Sequence, residues 1–311
     1  MVPGQNANMN VTMTPAQTGP ESATKVPSPF SWVTIAWVSV LLAVCYAPVL
    51  YRLVNQWYND EDMGHGFFVP VIAAYIAWQK RDLIADKLPQ PSWWGLAILI
   101  WAGIQLYLAT LGAELFTART SFIISIIGAV LLLGGKEYLR IFRFPLFLLF
   151  FMVPIPAVIY SQITFPLQIK ASQLAEAAIS LMQIPIIREG NVLVLASQSL
   201  DVVEACSGIR SLLTLTFLSL VYGYFCEKRI WIRVVLFFST IPIAILANAF
   251  RVTVTGVIAN FKPELAEGLF HEAQGWVIFM VAFAIMAALH QILVRVARII
   301  ENRNKSELTP A

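Results

Sequence analysis

Long apolar stretches dominate this chain and restrict what it can fold into more than any other feature. Six of them approach the roughly 20 residues that an α-helix needs to cross a bilayer. They cover residues 31–50, 94–111, 143–162, 206–225, 230–248 and 275–294. Only 13% of the 311 residues are charged and 58% are hydrophobic, whereas a soluble domain carries about 25% charged residues. The sequence therefore predicts an all-α polytopic membrane protein.

The distribution of basic residues predicts how many stretches cross the membrane. Two further apolar stretches, Phe67 to Trp78 and Phe122 to Leu133, are shorter than a usual span. If they also cross and the N-terminus is cytoplasmic, 14 of the 21 Lys and Arg residues lie on the inner side, as expected for cytoplasmic loops. We therefore expect about eight transmembrane helices in the cell inner membrane, with both termini cytoplasmic. Omitting both short stretches gives six spans and the same orientation.

The segments outside the spans predict three regions. Residues 1–29 are polar and rich in Pro and Thr, which is typical of a disordered tail and unlike a signal peptide. Residues 30–300 form the transmembrane domain, and residues 301–311 form a cytoplasmic tail. The longest interruption in hydropathy, residues 164–205, predicts an amphipathic helix followed by a small β-hairpin or meander, both on the outer membrane face.

One of the three cysteines lies in a polar setting. Cys45 and Cys226 are within apolar segments, where cysteine usually packs as a small hydrophobe. Cys206 lies between Glu204 and Ser207 in the sequence EACSGIRS, where a loop enters a membrane helix. A helix N-terminus lowers the pKa of a thiol and raises its thiolate fraction. Cys206 is therefore a candidate nucleophile, although a simple helix cap would give the same local sequence.

Two other ionisable residues share the predicted outer face with Cys206. Arg251, in NAFRV after Asn248, is costly to place among apolar residues unless it has a role or reaches the interface. His271 is followed by Glu272 just before the last span, and a histidine beside a carboxylate can be tuned as a base. A thiol, a guanidinium and an imidazole at one depth are the groups that acyl transfer needs.

The remaining candidates are weaker. His65, in MGHG, also lies on the outer face and is a candidate lining residue, whereas His290 near the cytoplasmic end of the last span is interpreted as structural. The acidic turn of Asp60, Glu61 and Asp62 is interpreted as solvated or as a receptor for a basic substrate segment. The sequence contains no GxSxG, HExxH or phosphate-binding loop. We therefore expect no metal, no cofactor and no nucleic-acid partner.

Several motifs in this order resemble the exosortase/archaeosortase family of multi-pass membrane transpeptidases. They are GHGFFVP after the first span, VVEACSGIRS, NAFRV and HEAQGW before the last span. The resemblance covers residues from about 30 to 295 and implies that Cys206 is the nucleophile, His271 the acid and base, and Arg251 the stabiliser of the tetrahedral intermediate. The polar neighbours Glu204, Ser207, Arg210 and Asn248, together with His65, are expected to line the site.

The resemblance also implies the partners. Family members act on exported proteins whose C-terminal signal combines a short motif such as Pro-Glu-Pro, a membrane helix and a basic cluster, and they transfer the cleaved protein to an envelope acceptor through a thioester. The bilayer itself is the other expected partner. Two alternatives stay open on the sequence: a protease that hydrolyses without transfer, and a non-catalytic component of exopolysaccharide export or transport in which Arg251 and His271 line a polar path.

Overall fold

The computed structural model describes residues 32–85, 87–195, 199–201, 208–261 and 269–308. The residues predicted as a disordered tail, 1–29, lie outside these ranges. The described chain is almost entirely helical with one small sheet. Its helices are α1 (Trp32–Cys45), α2 (Ala47–Asn59), α3 (Phe68–Gln79), α4 (Arg81–Ala85), α5 (Trp94–Leu111), α6 (Leu115–Leu148), α7 (Ala157–Leu181), α8 (Gly208–Cys226), α9 (Ile230–Phe261) and α10 (Leu269–Leu308). Two 3₁₀ segments, Glu61–Phe67 and Leu149–Met152, follow α2 and α6.

The described residues do not support eight spans. Four helical stretches are long and apolar enough to cross a membrane: Trp94–Leu111, Leu115–Met152, Ile230–Phe261 and Gln274–Arg303. A fifth is possible if the bent pair α1 and α2 counts as one span. The predicted number is wrong because α3 has only 12 residues, and because Arg210–Cys226, within the predicted span 206–225, is also too short to count as a span. In addition, the predicted stretch 122–133 and the start of 143–162 fall within one helical stretch, α6, which is kinked at Gly135.

Proline and glycine explain the two main bends. The predicted first span is broken at Tyr46, where α1 and α2 meet at 73°. Pro48, the second residue of α2, cannot donate the backbone hydrogen bond that a continuous helix needs there. Helix α6 is kinked at Gly135, whose φ of 77° is a left-handed conformation that favours glycine. Bends of this kind allow a 34-residue helix to stay inside a compact bundle.

The region predicted as external has the expected elements with different bounds. Helix α7 begins seven residues before the predicted interruption and buries a stripe of mostly small or polar side chains: Thr164, Gln168, Ala171, Ser172, Ala175 and Ile179. Three antiparallel strands follow in the order β1 (Ile186–Glu189), β2 (Val192–Leu195) and β3 (Ser199–Asp201). The sheet is therefore a short meander, and Gly190, with a φ of 66°, forms its first turn.

Three apolar clusters hold the elements together. The largest joins α2, α3, α6 and α8 around fully buried side chains such as Leu53, Ile123 and Leu148. A second joins α8, α9 and α10 around Leu215, Leu236 and other apolar residues. The third packs the sheet and α7 on α9. The large apolar side chains that stay exposed along α5, α9 and α10 fit a bundle surrounded by lipid.

One smaller prediction needs correction. Cys45 and Cys226 are exposed on their helices instead of packing inside the protein. The segment 301–311, predicted as a cytoplasmic tail, continues α10 as far as Leu308.

Candidate functional site

Several of the predicted site residues are incompletely described. Glu204, Cys206 and Ser207 lie outside the described residues. His271 is described only in its backbone, and it belongs to the first turn of α10 instead of preceding the last helix as predicted. His65, Arg210, Asn248 and Arg251 are described with their side chains. These four residues, and the contacts on either side of 202–207, define the geometry that follows.

An ion pair fixes the first turn of α8, directly after the segment that contains Cys206. Arg210 donates from Nε to Oδ1 of Asp62 at 3.0 Å. The other carboxylate oxygen of Asp62 accepts the hydroxyl of Tyr160 at 2.5 Å. Burial and the Asp62 carboxylate raise the pKa of Tyr160, so this hydroxyl remains a donor at neutral pH. Asp62 thus joins α7, α8 and the 3₁₀ segment Glu61–Phe67 at one point.

His65 lies in the same 3₁₀ segment, one turn after Asp62. Its side chain is buried, its ring is 6.3 Å from the ring of Phe217 on α8, and its Nδ1 has no hydrogen-bond partner among the described residues. Burial lowers the pKa of His65, while the backbone carbonyls of Phe151 and Asp62 and the Asp62 carboxylate act in the opposite direction. A buried imidazole with a lowered pKa and one ring nitrogen open among the described residues can act as a neutral hydrogen-bonding group.

The glycine after His65 allows this arrangement. A Cβ on Gly66 would lie 2.5 Å from Nε1 of Trp57, closer than any real side chain permits. The indole of Trp57 in turn donates to the backbone carbonyl of Met152 at 2.9 Å. The Gly-His-Gly sequence therefore packs against α2 and the Leu149–Met152 segment, and this packing holds His65 against α8.

Arg251 lies inside α9 and not at its end, because α9 extends 13 residues past the predicted boundary at 248 to Phe261. Its backbone carbonyl accepts from Nε2 of Gln274 at 3.2 Å, and Oε1 of Gln274 accepts from the hydroxyl of Thr255 at 3.1 Å. The guanidinium lies against α10, with Nη2 3.5 Å from where a Cβ of Gly275 would be. Arg251 is thereby held beside the first turns of α10.

This contact brings Arg251 near the turn that carries His271. His271 precedes Gly275 by four residues, and residues four apart lie on the same face of an α-helix. The Cα of His271 is therefore one helical turn from Gly275, on the face of α10 that contacts Arg251. The pairing of His271 with Arg251 stays a prediction.

The described residues on both sides of segment 202–207 lead to this region. Before it, Leu200 on β3 packs in the cluster that contains Val252, the neighbour of Arg251. After it, Arg210 pairs with Asp62. The six residues that include Cys206 therefore connect a strand beside Arg251 to a helix turn beside His65 and Asp62.

Asn248, predicted to line the site, is buried on α9 three residues before Arg251. Other residues of this region were not predicted from the sequence. Tyr160, Thr255 and Gln274 gave no signal of their own, although Gln274 belongs to the motif HEAQGW. Asp62 was interpreted as part of a solvated turn. The only sequence signal that this turn is partly buried was the nearby candidate lining residue His65.

A second polar cluster lies at the other end of α8, α9 and α10. His290 is buried, and each of its ring nitrogens has a partner: the hydroxyl of Tyr222 is 2.9 Å from Nδ1, and Oε2 of Glu227 is 3.4 Å from Nε2. Glu227 also accepts the backbone N–H groups of Lys228 and Arg229. This satisfied geometry agrees with the structural interpretation of His290.

Comparison with known proteins identifies the class. The sequence model of the transmembrane exosortase family matches residues 57–288, which is well over half of the chain. No curated protein and no solved structure matches the chain. The matched segment contains the 3₁₀ segment with His65, the loop with Cys206 and the turns with Arg251 and His271. The chain belongs to the transmembrane exosortase family, a family of membrane transpeptidases, and its several apolar helices make it a multi-pass membrane protein.

Proposed function

We propose that this exosortase is a cysteine transpeptidase in which Cys206, Arg251 and His271 carry the reaction. The observation that supports the proposal best is the convergence of described structure around segment 202–207. Leu200 packs with Val252 on one side of the segment, and Arg210 pairs with Asp62 on the other. The described residues that flank Cys206 in the sequence thus lie near Arg251 on one side and near His65 on the other.

Each residue has a distinct part in the first half-reaction. The Cys206 thiolate attacks the carbonyl carbon of the scissile peptide bond, and the negative charge moves to the carbonyl oxygen. Arg251 stabilises this oxyanion with guanidinium N–H groups. The His271 imidazolium gives its proton to the departing amine as the C–N bond breaks, so a thioester forms and the C-terminal helix of the substrate leaves.

The second half-reaction restores the enzyme. An acceptor amine attacks the thioester, neutral His271 takes the proton of that amine, and the Cys206 thiolate leaves as the new amide forms. Water in place of the amine gives hydrolysis. Glu204, Ser207, Arg210, Asn248 and His65 line the site, and the neutral, buried His65 is suited to donate or accept one hydrogen bond without adding charge.

The substrates belong to the class that the resemblance to known exosortases implies. They are exported proteins that end in a short motif, a membrane helix and a basic cluster, and the acceptor is a component of the cell envelope. A substrate helix held in the same bilayer presents its scissile bond at a fixed depth, which replaces a three-dimensional search by an oriented encounter. No metal, cofactor or nucleic acid takes part in this scheme.

The site faces the extracytoplasmic side of the inner membrane in this proposal, with both termini in the cytoplasm. Basic residues support the orientation. Lys80 and Arg233 both lie over the ring of Tyr224, at 5.6 and 5.8 Å, near the end of α8 opposite Arg210. Lys228 and Arg229 follow in the adjacent loop. Because Lys and Arg accumulate on the cytoplasmic side, this end is inside and the Arg210 end is outside.

The experiment that tests the proposal follows one substrate in cells. An exported reporter with a C-terminal motif, apolar helix and basic cluster from the same genome is co-expressed with wild-type enzyme or with Cys206→Ala. We expect wild type to release the C-terminal helix and Cys206→Ala to leave the reporter full-length. Cys206→Ser should release the C-terminal helix at less than about 1% of the wild-type rate, since an alcohol is a weaker nucleophile than a thiolate.

Cys226→Ala is the matched control, because Cys226 is an exposed thiol at the other end of the same helix. It should process the reporter at the wild-type rate. Mass spectrometry of the purified enzyme should find the acyl group on Cys206 alone. Normal processing by Cys206→Ala would remove the nucleophile assignment and with it the proposed mechanism.

A further inference from the structure

A cavity of about 390 Å³ lies between α2 and the first turns of α6, apart from the residues assigned to the reaction. Its walls combine side-chain amides and arginines from these two helices with the residue that follows α2. The lining includes Arg52, Asn55, Gln56, Asn59, Asp60 and Arg119.

Arg119 is the unusual member of this cavity. Its side chain is only 4% exposed, and within the described chain its Nε makes no hydrogen bond and no carboxylate lies within ion-pair distance. Glu114 is near enough to interact electrostatically, but its two oxygens accept the backbone N–H groups of Phe116 and Thr117 at the start of α6. A buried guanidinium without a carboxylate partner is costly, and the cost falls when an anion binds.

The other polar groups of the cavity do not supply that anion. Asp60 is occupied, since Oδ2 accepts from Gln56 at 3.2 Å and Oδ1 accepts the backbone N–H of Asp62 at 3.0 Å. Arg52 adds a second positive charge to the wall. Asn59 donates to the backbone carbonyl of Asn55 at 2.7 Å, which leaves its own carbonyl oxygen as an acceptor. The cavity therefore combines positive charge with amide hydrogen-bonding groups.

We propose that this cavity binds an acidic side chain of an extended peptide, with Arg119 pairing with the carboxylate and the amides of α2 contacting the peptide backbone. The planar guanidinium matches a carboxylate with two parallel hydrogen bonds. The amides of Asn55, Gln56 and Asn59 favour a peptide over a phospholipid headgroup, because a peptide backbone offers donors and acceptors along its length.

The location connects the cavity to the proposed reaction. Asp60, in the cavity wall, caps the 3₁₀ segment whose Asp62 pairs with Arg210 at the start of α8. A peptide in the cavity thus lies beside the turn that precedes the proposed site. The identity of this peptide as the substrate rests on the proposed function, but the binding itself requires no turnover.

The test measures peptide binding to purified full-length protein that carries Cys206→Ala, in lipid nanodiscs. The probes are acetylated, amidated hexapeptides with one central Glu among Ala residues and the same peptides with Gln. We expect the Glu peptide to bind at least tenfold more tightly than the Gln peptide, which corresponds to about 1.4 kcal/mol. Arg119→Gln should abolish this preference, and Arg119→Lys should reduce it because lysine keeps the charge and loses the fork.

Arg140→Gln is the matched control, since Arg140 is an exposed arginine of the same helix paired with Glu137. It should keep the tenfold preference. Equal binding of the Glu and Gln peptides, or a preference that survives in Arg119→Gln and Arg119→Lys, overturns the proposal. The proposal is also overturned, in favour of a lipid headgroup, by a different result. In that result Arg119→Gln loses binding to phosphatidylglycerol vesicles, while the Glu and Gln peptides bind equally and their affinities do not change.

Failure of this inference and failure of the proposed function give different results. A Glu preference that depends on Arg119, found together with normal reporter processing by Cys206→Ala, keeps the binding site and removes the transpeptidase assignment. Processing that depends on Cys206 without a Glu preference keeps the enzyme and removes the cavity as a binding site.

Discussion

The two ends of the α8–α10 bundle differ in how their polar groups are satisfied. At one end, His290 has a partner on each ring nitrogen, and Arg229 makes a bidentate pair with Glu301 at 2.9 and 3.0 Å. At the other end, where the Arg251 guanidinium lies beside Gly275 of α10, Nδ1 of His65 has no partner among the described residues. Groups that pair with each other stabilise a fold, whereas a buried ring nitrogen left open is available to a substrate.

Charge at the His290 end supports the same distinction. Burial alone would raise the pKa of Glu227. The pKa is nevertheless lower than usual, because Glu227 accepts hydrogen bonds from the backbone N–H groups of Arg229 and Lys228 and from His290, and because the Arg229 charge is nearby. Glu227 is therefore an ionised carboxylate whose negative charge is compensated within the protein. We expect changes at this end to alter stability and changes at the Arg251 end to alter processing.

The largest expected effect is at Arg251. Arg251→Lys keeps a positive charge but removes the planar donor pair, so we expect processing of the reporter to fall roughly 100-fold, as for loss of an oxyanion-stabilising group. The same substitution at the opposite end, Arg229→Lys, should leave the processing rate within about twofold. Timed release of the C-terminal helix at equal enzyme levels measures both, and equal rates for the two variants would contradict the distinction between the ends.

His290 provides the reverse test. His290→Ala leaves the Tyr222 hydroxyl and the Glu227 carboxylate without this partner, and we expect a loss of stability of about 2 kcal/mol. The thermal midpoint in detergent should fall, while the processing rate per folded molecule stays unchanged. Gln291→Ala, at the exposed adjacent position, serves as the control with a normal midpoint. A normal midpoint combined with slow processing would assign His290 to the site.

The fold class and the family could be predicted from the sequence more readily than the number of spans. Apolar composition and the spacing of polar motifs are local properties, so the all-α membrane class, the small sheet and the exosortase family follow from them. Span counts depend on where helices bend. The break at Tyr46 and the kink of α6 at Gly135 are tertiary features that a hydropathy profile does not contain.

The same limit applies to the site. Arg251 and His65 stand out because an arginine in an apolar segment and a histidine between glycines are unusual in sequence. Asp62 and Tyr160 are separated by 98 residues and Asp62 and Arg210 by 148. Contacts over such separations arise only when α7 and α8 pack on the 3₁₀ segment, so no local pattern predicts them.

A smaller effect is expected at Asp62, which acts as a positioning residue. Asp62→Asn weakens the hydrogen bonds to Arg210 and Tyr160, and because the Arg210 side chain is 42% exposed we expect a loss of about 1 kcal/mol and a several-fold slower reaction. A double-mutant cycle with Arg210→Gln should give a coupling of about 0.5 to 1 kcal/mol. Asp82→Asn, at an exposed ion pair with Arg81, should show no change. Additive effects of Asp62→Asn and Arg210→Gln would show that the pair does not hold the first turn of α8.

The smallest effect concerns pH and His65. Burial lowers the pKa of His65 below its ordinary value of 6.5, so the unfolded chain binds a proton at this residue more readily than the folded protein does. Stability is then complete above about pH 6.5 and decreases as the pH falls towards the lowered folded pKa. The thermal midpoint of the wild type should fall between about pH 7.5 and 5.5. In His65→Gln, which cannot titrate at this position, the fall should be smaller, and in Gln291→Ala it should equal that of the wild type. If the thermal midpoint of His65→Gln depends on pH as the wild-type midpoint does, His65 is protonated as easily in the folded protein as in the unfolded chain. The proposed site would then contain no neutral imidazole.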